Sequence, residues 1–385
     1  MPFDVRDFPG APPEERAGSR HNRRTVALWL FAICGMLLVM FGLGAATRLT
    51  GSGLSIMEWA PLSGTLPPLS EGEWKRLFAL YQTIPQYSLR NAGMDLAGFK
   101  EIFWLEWVHR LWGRMLGLAF AVPLAWFWWR GRIERRLRWP LLGLLVLGGA
   151  QGAVGWFMVA SGFFPDSTAV SPWRLTIHLG LALTLYAAVF WTALSVLHPM
   201  AHGGAATRWP RRAAALAVGM ILLTALAGAL VAGTGAGRAY TTFPLMEGRL
   251  VPEGYGRLTP FLRNLGEDIA TIQFHHRVLA TLTLLAALGA LLAGRTLRPL
   301  HPARARLAAL AALVAVQYAL GITTLLLVVP VDLAVAHQIM AVLALSAALA
   351  GLHALRAAGR ASGANIAPPG SGAAGPGPMD PRPAG

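Results

Sequence analysis

The sequence predicts an all-α membrane protein whose eight transmembrane helices form two parallel-repeat four-helix bundles. Three observations predict this fold. The 385 residues are 55% hydrophobic and only 13% charged, and the apolar residues fall into runs of about 20, the length that crosses a hydrocarbon core. The second half of the chain repeats motifs of the first, and four histidines occupy matching positions in alternate apolar runs.

The apolar runs divide the chain into spans and flanking segments. We expect spans near residues 25–46, 103–129, 139–160, 173–197, 211–233, 269–293, 304–328 and 332–355. The predicted organisation is a cytoplasmic N-terminal segment at 1–24, an N-terminal half at 25–200, a C-terminal half at 201–356 and a disordered tail at 357–385. The first run follows about 24 polar residues and is long enough to span, so no cleavable signal peptide is evident.

The charge pattern predicts the orientation. A net charge of +15 could indicate nucleic-acid binding, but 20 of the 33 lysines and arginines fall in segments that share one side of an eight-span topology. The positive-inside rule makes that side cytoplasmic and places both termini there. We therefore expect no nucleic-acid partner and a multi-pass protein of a bacterial plasma membrane. The lone Cys34 lies in the first span, which excludes an intramolecular disulfide.

The two halves share short motifs at similar spacing. The paired segments are Val108–Arg110 with His275–Arg277, Gln151 and Gly155 with Gln317 and Gly321, His178 with His337, and Thr50–Gly53 with Thr234–Gly237. The first outer loop is longer than its counterpart by about 16 residues. Its aromatic content, around Trp59, Trp74, Tyr81 and Tyr87, favours an ordered lid over the first half.

Four histidines, His109, His178, His276 and His337, are predicted to lie about five to seven residues inside the spans that enter from the outer side. That is roughly 7 to 11 Å along a helix axis, so the four imidazoles share a level in the membrane. Histidine is a common axial ligand of heme iron, and pairing within each half gives two bis-histidine sites. The alternative is histidines that are hydrogen-bonded across helices. His275 neighbours His276, and we take His276 as the ligand because it precedes Arg277 as His109 precedes Arg110.

Other charged residues lie at the same depth. Glu106 precedes His109 by three residues and so shares its helix face, whereas the second half has Gln273 there. Two roles stay open for Glu106: a proton donor or acceptor, or a carboxylate that orients His109. The arginines at this level, Arg110, Arg114 and Arg277, could pair with heme propionates or extend to the interface.

The stretch ATRLTGSGLS at 46–55, then FKEIFW at 99–104 and EWVHR at 106–110, resembles heme A synthase of the alpha-proteobacterial and mitochondrial type. The resemblance covers about residues 25–355 and all four histidines. It implies an oxidoreductase that converts the C8 methyl group of heme O to a formyl group, giving heme A for cytochrome c oxidase. Some bacterial relatives carry cysteine pairs in the outer loops, and this chain has none, which excludes a mechanism that requires those thiols.

The resemblance also implies a role for each site residue. His276 and His337 would hold a resident heme b, and the heme irons would take their axial ligands from all four histidines. The catalytic residues would be Glu106, His109 and His178 around the substrate heme O, with molecular oxygen or water as the oxygen source. The implied partners are the farnesylating synthase that makes heme O, an unidentified electron donor and membrane lipid; a homo-oligomer stays open.

Two other classes of protein fit some of these features. A di-heme b-type membrane cytochrome that relays electrons would share the histidine pairs but form no product. A transporter with a repeat fold would share the duplication, but the repeats here are parallel and no helix interruption marks a midplane site.

Overall fold

The computed structural model describes residues 13–199 and 207–356. The tail predicted to be disordered at 357–385, and part of the predicted N-terminal segment, lie outside the described residues. Within them the fold is all-helical, and the sole β feature is an isolated bridge between Met246 and Arg249. This agrees with the predicted fold class.

The described residues contain eight helices that are long and apolar enough to cross a membrane, as the sequence predicts. The full set of α-helices is α1 (Pro13–Leu49), α2 (Glu71–Tyr81), α3 (Pro85–Arg90), α4 (Leu96–Trp129), α5 (Arg135–Ala160), α6 (Pro172–Leu197), α7 (Arg208–Thr234), α8 (Asn264–Glu267), α9 (Ile269–Gly294), α10 (Pro302–Leu326) and α11 (Val331–Ala354). The short helices α2, α3 and α8 lie in connections on one side of the bundle, which we call the long-loop side.

Two helix starts differ from the prediction. Helix α1 begins at Pro13, inside the segment expected to precede the span. Helix α4 begins at Leu96, where the Asp95 side chain accepts a hydrogen bond from the Gly98 amide at 2.9 Å. His109 therefore lies thirteen residues into its helix, and the prediction of five to seven was wrong for it. Polar residues Lys100 and Glu101 hid this extension, because they interrupt the apolar run without interrupting the helix.

The spanning helices form two cycles of contacts. In the first, α1 contacts α4, α4 contacts α5, α5 contacts α6, and α6 returns to α1; in the second, α7, α9, α10 and α11 follow the same order. The helices α1, α6, α7 and α11 also contact one another between the cycles. These contacts are compatible with two four-helix bundles, and the arrangement as two parallel-repeat bundles stays a prediction.

The long connection between α1 and α4 is ordered by its own apolar cluster, in keeping with the predicted lid. Helices α2 and α3 pack on the first turns of α4, with Trp74, Tyr81 and Phe99 among the buried members. The cluster also includes Leu54 and Val170, which come from the connections that follow α1 and α5. The early start of α4 thus supplies the surface on which the lid packs.

Candidate functional site

His109 and His276 are the first of the four histidines in their halves. Each of their rings packs against a glycine of a neighbouring helix. A Cβ atom at Gly44 of α1 would lie 3.4 Å from Nε2 of His109, and one at Gly228 of α7 would lie 3.1 Å from Cε1 of His276. Sequence reasoning missed both glycines. The signal was available, because their offset of 184 residues equals that of the Thr50 and Thr234 motifs that follow the same two helices.

The second histidine of each half repeats this arrangement. A Cβ atom at Gly155 of α5 would lie 3.0 Å from Cε1 of His178, and one at Gly321 of α10 would lie 2.8 Å from Cε1 of His337. Such distances are shorter than ordinary van der Waals contacts. The glycines that the repeat singled out are therefore the positions where the backbone makes room for the imidazoles.

A glutamine one helical turn before each of these glycines contacts the same ring. The Gln151 amide nitrogen lies 3.1 Å from Nδ1 of His178 and also donates to the His178 carbonyl oxygen at 3.1 Å. The Gln317 amide nitrogen lies 3.3 Å from Nε2 of His337. A side-chain amide thus orients the second imidazole in each half.

Each half of the chain carries one of the four histidines on its second spanning helix and one on its fourth, and the pairing of the two rings within each half stays a prediction. The Nδ1 atoms of His276 and His337 are buried without a hydrogen-bond partner. No group of three or more metal-ligating side chains occurs in the part of the chain that the structure describes.

Histidine side chains without a larger cluster of ligating groups fit a heme better than a bare metal ion. Two imidazoles supply axial ligands while a porphyrin supplies the other donors, so a larger cluster is not required. Ring nitrogens that lack a protein partner are suited to an external one, since buried polar atoms are normally paired. The unpaired ring nitrogens of His276 and His337 therefore fit a heme in the second half, whereas a heme held by His109 and His178 stays a prediction.

His275 has a separate environment from His276. Its Nε2 atom lies 3.0 Å from the Tyr255 hydroxyl oxygen, and its ring contacts Tyr255 and Phe274. The glycine at position 228 faces His276 instead. This geometry favours His276 as the member of the pair.

Glu106 is buried, with 2% of its surface exposed, and its carboxylate is fully occupied. Oε2 accepts hydrogen bonds from the Ser55 hydroxyl at 2.7 Å and the Ile56 amide at 2.9 Å. Oε1 accepts from Arg110, with Nη2 at 2.7 Å and Nε at 3.1 Å. Glu106 thus joins α4 to the start of the long loop through the Ser55 hydroxyl and the Ile56 amide, and it forms an ion pair with Arg110 on its own helix.

Gln273 occupies the equivalent place with the opposite hydrogen-bond polarity. Its amide nitrogen donates to the carbonyl oxygens of Ala236 at 2.8 Å and Tyr240 at 3.1 Å, and its amide oxygen accepts from Arg277 at 3.2 Å. Both halves therefore fasten the loop after their first helix to the helix that carries the first histidine. At this position the first half has an ionisable side chain and the second half has an amide.

The arginines at this level bind loop carbonyls, an outcome that neither alternative anticipated. Arg110 Nη2 donates to the carbonyl oxygen of Ile56 at 2.6 Å, and Nη1 donates to the carbonyl oxygen of Glu58 at 2.8 Å. The other contacts are Arg114 with Ala60 and Pro61, and Arg277 with Tyr240 and Thr242. The sequence could not show this, because the acceptors are backbone atoms with no residue-type signature.

The fold and the site define an all-helical, multi-pass membrane protein with two pairs of glycine-packed histidines in corresponding helices. Residues 27–349 match the family described as cytochrome oxidase assembly protein, and the chain belongs to that family.

Similar proteins carry the name heme A synthase. One, from Granulibacter bethesdensis, is 58% identical over 90% of this chain and 91% of its own length. A heme A synthase 2 from Acidiphilium cryptum is 50% identical over 88% of this chain and 94% of its own, and a heme A synthase from Methylobacterium sp. is 48% identical over the same shares.

Proposed function

We propose that this chain is a heme A synthase, an oxidoreductase that converts the C8 methyl group of heme O to a formyl group. The observation that carries the proposal is the duplicated site, in which each of four histidines in apolar helices packs on a glycine. The names of the similar proteins support the same activity. Four ionisable rings inside membrane helices are costly, and a role in cofactor or substrate binding accounts for them.

We assign the substrate heme to His109 and His178 and a resident heme b to His276 and His337. In the first half α4 packs on α5 less extensively than α9 packs on α10 in the second, which suits a molecule that must enter and leave. The long loop with α2 and α3 belongs to the first half as well. The tighter second half suits a cofactor that stays bound.

The side chains would act by holding and orienting. When bound, the heme groups supply the redox chemistry of methyl oxidation. The glutamines Gln151 and Gln317 fix the rings of His178 and His337. Glu106 would hold Arg110, the Ser55 hydroxyl and the Ile56 amide in place, which positions the loop rather than His109, and both of its open roles stay predictions.

The same proposal extends to partners and location. We place the protein in a bacterial inner membrane with both termini cytoplasmic and the long-loop side periplasmic. Heme O would come from its farnesylating synthase, electrons from a donor of unidentified class, and oxygen from dioxygen or water. Membrane lipid surrounds the helices, and a homo-oligomer is compatible with the exposed helix faces.

Expression in a host that makes heme O but not heme A tests the activity. Extracted pigment should contain heme A or its hydroxylated precursor. Absence of both from well-folded protein would overturn the proposal, and two permanently bound hemes without product would point to the electron-relay alternative.

Two histidine variants test the assignment of the halves. His109→Ala should abolish the product and leave a heme b spectrum in the purified protein. His276→Ala should remove that spectrum. The reverse pattern would exchange the two sites.

Glu106→Gln tests the remaining choice of role. In the carboxylate, one oxygen accepts from Arg110 and the other accepts from the Ser55 hydroxyl and the Ile56 amide. An amide has only one oxygen, so its NH2 group would face the donors on the other side. If Glu106 only positions the loop, both turnover and substrate-heme content should fall. A loss of turnover at unchanged heme content would instead support proton transfer by Glu106.

A further inference from the structure

The segment Trp59–Leu69, which follows the Thr50–Gly53 motif after α1, is held against α4 by arginine side chains. Arg110 binds the carbonyls of Ile56 and Glu58. Arg114 binds the next carbonyls, with Nη2 to Ala60 at 3.0 Å and Nε to Pro61 at 2.9 Å. Arg114 lies one helical turn, about 6 Å, further along α4 than Arg110. The chain therefore descends along the helix as it proceeds.

The lower contact lies within the apolar part of α4. Arg114 is the sole charged residue between Leu111 and Trp129. A guanidinium and free backbone carbonyls are both costly in hydrocarbon, and they are tolerated there when each satisfies the other. The hydrogen bonds of Arg114 Nε and Nη2 thus satisfy two carbonyls of an irregular segment at membrane depth, while Nη1 is buried without a hydrogen-bond partner.

The outward face of the segment is mostly apolar; its exposed polar residues are Ser63 and Thr65, and the Thr65 hydroxyl donates to the Leu62 carbonyl oxygen at 2.7 Å. The exposed fractions are 86% for Leu62, 69% for Leu66 and 79% for Leu69, and the segment contains no charged residue. In water, a row of exposed leucines of this kind is unfavourable. Beside the lipid-facing side of α4, where Leu118 and Val122 are also exposed, the same row continues an apolar surface.

The start of the segment also contacts α5. The Trp59 ring stacks on Trp156 of α5, with centroids 6.2 Å apart, and the Arg110 guanidinium lies 5.6 Å from the centroid of the same Trp156 ring. The segment thus bridges α4 and α5 near His109.

The second half has no equivalent lower anchor. Its loop is held by Arg277, and the position that corresponds to Arg114 is Thr281, whose hydroxyl pairs with Tyr318 at 3.0 Å. The descending segment is therefore a feature of the first half.

We infer that the Trp59–Leu69 segment is embedded in the lipid leaflet on the long-loop side, with its leucines in contact with acyl chains. It forms a lateral wall between the lipid and the α4–α5 seam. The inference concerns the lipid as partner and stands whether or not the proposed catalytic function is correct.

Spin labelling in vesicles of phosphatidylcholine and phosphatidylglycerol tests the inference. In a Cys34→Ala background, Leu62→Cys and Leu66→Cys would be labelled, with Leu89→Cys on α3 as the matched control because its exposure is also 69%. We expect a ratio of oxygen to water-soluble nickel-complex accessibility several-fold higher at 62 and 66 than at 89. Equal nickel accessibility at 62 and 89 would overturn the inference.

A second variant tests the anchor. Arg114→Gln should raise the nickel accessibility of the label at 62, because the freed carbonyls would seek water, whereas Arg130→Gln at the other end of α4 should leave it unchanged. An unchanged label environment in folded Arg114→Gln protein would contradict the anchoring role. If that variant fails to fold, the comparison of positions 62, 66 and 89 still decides the inference.

Discussion

At the scale of single residues, the site depends on four glycines, which have no side chain beyond a hydrogen atom. Glycines at positions 44, 155, 228 and 321 leave the space that the four imidazoles occupy. Because interiors are close-packed, even one added methyl group is felt where the gap is this small. The histidines supply the chemistry, and the glycines determine where the rings lie.

Gly321→Ala is expected to reduce the content of the resident heme. The new Cβ atom would lie 2.8 Å from Cε1 of His337, and overpacking of this kind typically costs about 1–3 kcal/mol. The His337 ring would have to move away from the position that Gly321 leaves open for it. Heme per protein, measured by the pyridine hemochrome spectrum of purified protein, checks this.

Gly289→Ala is the matched control for that substitution. It lies on α9 of the same half, where an added Cβ would meet nothing within 4 Å. Alanine also has the higher helix propensity, so heme content should be unchanged and stability equal or slightly higher. Equal heme loss in both variants would show that the effect is not one of ring placement.

At the scale of elements, the lid is held by a small buried polar network. The Tyr81 hydroxyl donates to Gln86 Oε1 at 3.0 Å and accepts from Asn91 Nδ2 at 2.6 Å. The Gln86 amide nitrogen donates in turn to the Gly51 carbonyl at 3.0 Å. Gly51 has φ of +72°, a conformation that glycine adopts without strain. Burial raises the pKa of Tyr81, which keeps its hydroxyl protonated and able to donate.

Tyr81→Phe should loosen α2 and α3. The substitution leaves Gln86 without its donor, and an unsatisfied buried polar group costs about 1–3 kcal/mol. Hydrogen exchange of residues 71–90 in detergent should therefore become faster while α9 stays unchanged. Tyr87→Phe is the control, because that hydroxyl accepts at 3.2 Å from Gln82, which is exposed; equal exchange in both variants would contradict the network's role.

The lid also contains a pH-dependent link. Arg76 of α2 donates to both carboxylate oxygens of Glu58, at 2.8 and 3.1 Å, and this hydrogen bonding lowers the pKa of Glu58. A lowered pKa in the folded state means that the stabilisation is present above the ordinary pKa of glutamate, about 4.3. It is lost as the pH falls through the folded-state value. Glu58 is about half exposed, so after solvent screening the link contributes at most about 1 kcal/mol.

Protease accessibility of helix α2, which carries Arg76, should therefore rise as the pH is lowered from about 5 to about 3 in the unaltered protein, assayed with an acid-active protease. In Glu58→Gln the accessibility at pH 7 should already be raised and should change less on acidification. A pH response of the same size in both proteins would assign it to other groups.

At the scale of the whole molecule, a few polar contacts join the two cycles of helices. Nη2 of Arg48, at the end of α1, donates to the carbonyls of Ala232 and Gly233 at the end of α7, at 3.0 and 3.1 Å. Nearer the opposite side, the Tyr186 hydroxyl of α6 lies 2.7 Å from the Ser346 hydroxyl of α11. Arg48 thus satisfies carbonyls that every helix leaves free at its C-terminus.

Arg48→Gln should lower the thermal stability of the detergent-solubilised protein. A cation near a helix C-terminus typically contributes about 0.3–1 kcal/mol, and the lost hydrogen bonds to the α7 carbonyls add to that. Arg90→Gln is the control, because Arg90 is also on the long-loop side but ends the short helix α3. A melting temperature equal in the two variants would show that the Arg48 contact does not stabilise the junction.

The sequence by itself determined the class of fold, the number and order of spans and the four histidines. These are local properties: an apolar run of about 20 residues spans wherever it occurs, and an ionisable residue within it is conspicuous. The pairing of Gly155 and Gly321 with the histidines was also within reach, because both halves repeat the spacing.

Only the tertiary structure decided which groups the polar side chains meet. Arg110, Arg114 and Arg277 bind backbone carbonyls of loops more than 30 residues away in sequence, and the extension of α4 back to Leu96 depends on the lid packing against it. Both features depend on parts of the chain that are distant in sequence. Every residue has a backbone carbonyl, so residue type does not show which carbonyl an arginine will bind. The first turns of α4 are stabilised by the surface that covers them, so their helical state cannot be predicted before that surface is in place.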